Sequence, residues 1–209
     1  MKPLSEEAFF ETVAVSRETE GKLRAYAELL KKWQPKINLV GPATIPDLWR
    51  RHFLDSAQLF PHLSSGPVLD LGSGAGFPGL VLAILRGQGN VTGDPVHLVE
   101  SDGRKGAFLR EAARITGAPA VIHTSRIEAL KVFEIGAVTA RALAPVETLL
   151  RLAEPFLTSS VQCLFLKGER LEDELTEAAK DWKMTVGRIP SVSDPNGFIL
   201  SLKEVRRGR

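Results

Sequence analysis

The densest chemical signal in the chain is one run, Asp70-Leu71-Gly72-Ser73-Gly74-Ala75-Gly76-Phe77-Pro78-Gly79. Glycines spaced this way let the backbone turn tightly and let a ligand approach where a Cβ would collide. Two ligand classes fit the spacing. Gly74, Gly76 and Gly79 satisfy G-x-G-x-x-G, the dinucleotide fingerprint in which a pyrophosphate rests on a helix N-terminus. Asp70 followed by Gly72, Gly74 and Gly76 also satisfies acidic-x-G-x-G-x-G, the pattern of S-adenosylmethionine (AdoMet) sites, where the loop passes under an amino-acid tail. Either way the run reads as a cradle for a nucleoside-type cofactor. Glu100 ends the next strand, where a carboxylate can accept hydrogen bonds from both hydroxyls of a ribose. Neighbouring Asp102 is accounted for as a helix cap, a role it shares with Ser101 as a candidate. Arg141 ends a later strand and can grip a carboxylate or phosphate with two parallel hydrogen bonds.

Other reactive side chains read as structural. Cys163 lies inside an apolar strand and reads as core. His52 shares an apolar helix face with Trp49, Phe53 and Ser56, which suits a buried, hydrogen-bonded histidine better than a base. Asp55 is spaced to pair with Arg51 one turn away. No metal site is expected.

Positioning these groups requires a particular order of elements. Residues 6–17, 22–38 and 45–63 carry helical spacing, the second through Leu23, Tyr26, Leu30, Trp33 and Ile37, with Pro35 near its end. At Gly66 the period changes. Strands are predicted over 68–71, 96–100, 120–124, 136–141 and 161–167, separated by helices over 104–116 and 146–157. The glycine run itself opens a helix, with Pro78 in the first turn. A further helix is predicted over 169–182, with Leu171, Leu175, Ala178 and Trp182 on one face. Strands over 184–189 and 198–202 have no room for a helix between them and should pair as a hairpin. The expectation is an α/β fold: a mostly parallel seven-stranded sheet with a C-terminal antiparallel hairpin (residues 65–209), behind a helical extension (residues 1–64).

Composition removes several function classes. The 209 residues are 44% apolar and 25% charged, as in ordinary globular domains. A single cysteine excludes a disulfide framework and a Cys-rich zinc site. No apolar run approaches a membrane span, and the start lacks a signal-peptide core, so a cytoplasmic protein with no membrane partner is expected. With 27 basic and 25 acidic residues, the net charge of +2 does not by itself announce a nucleic acid. The terminal Arg206-Arg207-Gly208-Arg209 reads as a solvated end.

Taken in order, Asn38-Leu39, Arg51-His52-Phe53-Leu54-Asp55-Ser56, the glycine run, Val99-Glu100-Ser101-Asp102-Gly103-Arg104-Lys105, Ser125-Arg126-Ile127-Glu128, Arg141-Ala142 and Leu166-Lys167-Gly168 resemble the bacterial small-subunit ribosomal RNA methyltransferase G family, also called glucose-inhibited division protein B. The resemblance spans about residues 21–204. It implies a class I AdoMet-dependent, Rossmann-like methyltransferase fold and methyl transfer to N7 of a guanine in 16S rRNA. It further implies cofactor contacts at Gly72, Phe77, Ile127, Glu128 and Arg141, to which the residue reading adds Gly74 and Glu100. Two departures lie away from these positions: a longer 87–94 loop, and Thr158-Ser159-Ser160 in place of a Pro-Gly-Gly turn.

The chemistry agrees with that implication. Guanine N7 carries a lone pair and no proton, so its methylation needs alignment and no general base. The chain has neither the Asp/Asn-Pro-Pro-aromatic box associated with exocyclic amines, its strand end reading Thr139-Ala140-Arg141-Ala142, nor a Pro-Cys nucleophile. Arg50, Arg104 and Lys105 are the candidate RNA contacts, beside Arg141 and the terminal arginines; they would grip phosphate without reading sequence. The implied partner is 16S rRNA or the small ribosomal subunit rather than DNA, with the protein acting as a monomer. An NAD-linked oxidoreductase, or a non-catalytic ribosome-assembly protein retaining the fold, are the alternatives.

Overall fold

Residues 2–88 and 94–208 are described by a computed structural model. The change of period after Gly66 does mark the sheet. Strands β1 (Val68–Leu71), β2 (Val96–Val99), β3 (Ala120–His123), β4 (Ala137–Arg141) and β5 (Gln162–Lys167) run parallel, and β7 (Phe198–Arg207) and β6 (Trp182–Pro190) close one edge. The order is β3-β2-β1-β4-β5-β7-β6, with β7 antiparallel to both neighbours. Because β1 lies between β2 and β4, the chain reverses direction across the sheet at its carboxyl end. Leu71 sits level with Val99 on one side and Ala140 on the other. The residues that follow these three strands are therefore neighbours at the switch point, where open α/β sheets bind ligands.

Helices cover both faces. Val68, Val96, Leu98 and Ala137 point toward α4 (Gly79–Arg86) and α5 (Gly103–Thr116), whereas Leu69, Leu71, Val138 and Ala140 point toward α6 (Val146–Ala153) and α7 (Leu171–Ala178). The N-terminal helices α1 (Glu6–Thr12) and α2 (Arg17–Trp33) share the first of these cores. Leu23, Tyr26, Ala27 and Leu30 of α2 recur at helical spacing and are buried beside Phe53, Phe77 and Phe108. Burying each such large side chain contributes about 1.5–3 kcal/mol. The rings of Tyr26, Phe53 and Phe77 lie 5.3–5.4 Å apart, centroid to centroid.

Several expected boundaries move, each for a physical reason. α2 begins at Arg17 because Ser16 caps it through Thr19 N, and it ends at Trp33 ahead of Pro35. Residues 45–63 are not one helix. Pro46 and Pro61 interrupt the hydrogen-bond ladder, giving a 3-10 turn (Pro42–Asp47), a π-helical turn (Trp49–Leu54), the short α3 (Asp55–Ala57) and another 3-10 turn (Phe60–His62). α5 takes Asp102 rather than Ser101 as its cap, through Arg104 N and Lys105 N. The first strand's loop makes Pro78 the cap of α4, one residue outside it.

The predicted helix over 169–182 stops at Ala178. Trp182 instead starts β6, buried and covered by the Arg207 guanidinium 4.4 Å from its ring. β6 and β7 both outrun their predicted lengths. Arg206 and Arg207 are consequently strand residues, exposed as a solvated end should be, and Arg207 clasps Glu154 at 2.8 and 2.9 Å. Of the long loop expected over 87–94, residues 89–93 lie outside the described residues.

Candidate functional site

The glycine run after β1 is held from three sides. Ser73 N donates to Val99 O at 2.9 Å, Gly74 N donates to Glu100 Oε2 at 2.9 Å, and the Tyr26 hydroxyl, arriving from α2, donates to Ala75 O. Beneath it, buried Asp70 accepts from Gly79 N at 3.2 Å and from Thr139 Oγ1 at 2.7 Å. Burial pushes the Asp70 carboxyl up to about 6, against those hydrogen bonds. Asp70 thus joins the loop, α4 and β4 and does not face the cleft.

The glycines themselves separate the two sequence readings. Gly74 has φ +57° and a Cβ built there meets only Gly72 O at 3.9 Å, so its bare face opens outward. A Cβ on Gly76 would lie 2.8 Å from the Tyr26 hydroxyl, and one on Gly79 2.5 Å from Asp70 Oδ2. Gly76 and Gly79 are therefore bare for packing. The dinucleotide fingerprint would need its second glycine to present backbone to a pyrophosphate, and here that glycine faces the core.

Gly72, Gly74, Glu100, Ile127, Glu128 and Arg141 line one cleft of about 430 Å3, within the ~300–1,000 Å3 of small-molecule sites. Glu100 accepts one amide on each oxygen, from Gly74 and, at 2.8 Å, from Asp102 N, so each oxygen keeps a further lone pair. Ile127 and Glu128, which also line the cleft, begin a 3-10 turn. Bare backbone at Gly74, an acidic acceptor just after β2 and the apolar Ile127 in the same cleft suit AdoMet's amino-acid tail, ribose and adenine. Phe77 is not in the cleft. It is buried against Tyr26, and the Arg141 guanidinium lies 5.2 Å from its ring.

Arg141 is more constrained than its strand-end position suggests. Nη1 donates to Arg51 O at 2.8 Å and to Asp55 Oδ2 at 3.3 Å, and Nη2 lies 2.9 Å from His52 Nδ1. A guanidinium can only donate, so His52 Nδ1 accepts. The imidazole proton then sits on Nε2 and is given to Thr44 Oγ1 at 2.7 Å. Burial first, then the Arg141 and Arg51 charges, lower the His52 pKa to about 3. His52 is neutral, with both nitrogens engaged, as the core reading expects. Asp55 does not pair with Arg51: it is drawn to Arg141 and to Ser193 Oγ at 2.6 Å, while Arg51 reaches Asp194 at 3.4 Å. Buried Cys163, its thiol pushed up to about 12, is no nucleophile.

Of the candidate RNA contacts, Lys105 lines the cofactor cleft and Arg104 is exposed. Arg50 is turned inward, donating to Lys2 O at 2.6 Å and lying 3.3 Å from Asp47. A second cavity of about 460 Å3 adjoins the first beyond Arg141, lined by Asp55, Leu143, Lys167, Glu174 and Asp194. Lys167 Nζ donates to Ala144 O and to Glu174 Oε2, both at 2.7 Å. Sequence reasoning missed Tyr26 as a brace, the Lys167–Glu174 pair and the pinning of the β6–β7 loop onto Asp55. Lys167 and Asp55 left a trace inside family motifs and Tyr26 as one of an apolar helix face, but none of these signals gave the contact itself.

Sheet order, glycine loop and cleft define a class I AdoMet-dependent methyltransferase fold. The solved structure of M. jannaschii TYW2 in complex with AdoMet shares that fold, at TM-score 0.55 and 13% identity over 81% of this chain and 78% of that one. Sequence comparison is narrower: the family model for rRNA small subunit methyltransferase G matches residues 19–196, and the chain belongs to that family. It is 57% identical over 198 residues to the ribosomal RNA small subunit methyltransferase G of Paramagnetospirillum magneticum (93% of each chain), and 56% identical over 207 residues to that of Rhodospirillum rubrum (98% of this chain, 100% of the relative). No helix among the described residues is long and apolar enough to cross a membrane.

Proposed function

We propose that this chain methylates N7 of a guanine in 16S rRNA, with AdoMet in the cleft that Gly72 and Gly74 line, against the open face of Gly74. One observation carries the reading: in a member of this family, a cleft with nucleoside-binding chemistry opens beside a second polar cavity at the carboxyl ends of β4 and β5. Glu100 would hold the ribose hydroxyls, Ile127 would cover an adenine face and Glu128 would read its edge.

When bound, AdoMet supplies a sulfonium-activated methyl group: the N7 lone pair forms the N–C bond, the C–S electron pair stays on sulfur, and no proton leaves. The side chains match a reaction without a base. His52 has both nitrogens engaged and Asp70 is sealed below the loop. What remains for the protein is alignment, worth about 7–11 kcal/mol when reacting groups are well placed. Arg141, fixed by Arg51, Asp55 and His52, stands where the two cavities meet. Exposed Arg104, together with Lys105 at the cleft edge, would meet phosphates. The protein acts as a monomer in the cytoplasm, on free 16S rRNA or the small subunit.

The test is incubation of the protein with methyl-labelled AdoMet and small subunits lacking the modification, followed by mapping of the labelled base. Label on a guanine N7 of 16S rRNA is expected. AdoMet binding with no transfer would favour a non-catalytic assembly role, and label on another atom would refute N7.

A further inference from the structure

Leu143 is an apolar side chain left 39% exposed between the two cavities. Among the described residues, the cofactor cleft and the second cavity share three lining residues, Arg141, Ala142 and Leu143. Arg141 is clamped by its hydrogen bonds, and Ala142 offers a single methyl. Among these three, Leu143 presents the largest apolar surface, and it faces both sides.

Its placement is costly. Ala142 sits at φ +50°, a left-handed conformation that disfavours any residue with a Cβ. That turn lays Leu143 across the glycine loop: a Cβ on Gly72 would come within 2.6 Å of Leu143 Cδ1 and 3.0 Å of Cδ2. A bare residue below and a strained one beside it thus hold the leucine over the cleft, where folding gains little from it. Strain of this kind concentrates where a ligand uses it.

Resting on the proposed N7 reading, we propose that Leu143 is a positioning residue that packs on the flat face of the acceptor guanine. It forms the partition between donor and acceptor cavities, keeps water out of the gap and sets the ring's tilt toward the methyl group. A purine face is the partner its chemistry suits, since it is apolar, planar and larger than one side chain.

The experiment compares Leu143→Ala and Leu143→Met with the wild type on small subunits lacking the modification, under single turnover with saturating AdoMet. AdoMet affinity by calorimetry and the thermal midpoint serve as parallel readouts. The expected result for Leu143→Ala is an unchanged midpoint and a transfer rate at saturating AdoMet down about 100-fold, the scale of a ~1 Å misplacement, with AdoMet affinity falling far less than the rate. Leu143→Met, similar in volume and reach, restores most of the rate. A Leu143→Ala rate close to wild type, or AdoMet affinity falling in step with the rate, would overturn the proposal. If the wild type itself labels no guanine N7, the functional reading has failed, a result distinct from an active wild type indifferent to Leu143.

Discussion

Acid should weaken this fold through His52, and the size of the effect follows from its surroundings. The folded pKa is about 3, because the ring is buried and faces the Arg141 and Arg51 charges; an unfolded histidine titrates near ~6.5. Above pH 7 both states are neutral. As pH falls through 6.5, the unfolded chain takes up a proton that the folded protein refuses, so stability drops by about 1.4 kcal/mol per pH unit until pH approaches 3. Between pH 7.5 and 5.0 this amounts to about 2 kcal/mol, or roughly 4–8 °C in thermal midpoint for a chain of this length. The control is His52→Asn, whose amide oxygen can accept from Arg141 but cannot titrate. At pH 7.5 the variant is the weaker protein, having lost the bond to Thr44 and the ring packed 4.9 Å from Phe77. By pH 5.0 its deficit should shrink by about 2 kcal/mol. His97, His123 and Asp70 titrate alike in both proteins and cancel in the difference. Thermal or urea denaturation at five or six pH values measures it. Parallel wild-type and variant curves would refute the buried, neutral His52.

Asp70 has the opposite sign. Its folded pKa of about 6 exceeds the usual carboxylate value, so stability falls as pH rises from about 4 to 6 and then levels off, a loss on the order of 3 kcal/mol. Asp70→Asn can still accept from Gly79 N on its amide oxygen and donate its NH2 to Thr139 Oγ1, reversing that bond, and should lack that decline; an identical pH profile in denaturation would contradict it. Arg141→Ala should damage the fold as well as turnover, since it strands Asp55 and the His52 Nδ1 acceptor. The stability cost should be about 1–3 kcal/mol, below the ~3–5 of a fully buried pair, because both ionic side chains stay 18% exposed. Full retention of stability in urea would show the clamp to be incidental.

How legible all this was in the sequence depends on the range of the forces involved. The strand-helix alternation, the closing hairpin, the glycine cradle and Glu100 could be read because each is specified locally, by period, by turn chemistry or by a strand end. The 45–63 segment misled because its apolar period is helical while two prolines cut the ladder. Trp182 misled because its spacing fits α7, although pairing with Arg207 across the hairpin decides its place. Arg50, Phe77 and Arg141 look alike to any sequence reading, as a charge, an aromatic and a charge. Only tertiary contacts turn the first toward Lys2, sink the second under Tyr26 and clamp the third. The partition at Leu143 was hidden for the same reason: it arises from Ala142's backbone and a glycine 71 positions earlier.

The most direct trial of the account is calorimetric titration of AdoMet into the wild type and Gly74→Val, with circular dichroism confirming that both are folded. A side chain at residue 74 would project from the loop into the cleft, its nearest neighbour 3.9 Å away. Saturable binding to the wild type and none to the folded variant are expected. Equal binding by both proteins would place the cofactor elsewhere and contradict that expectation.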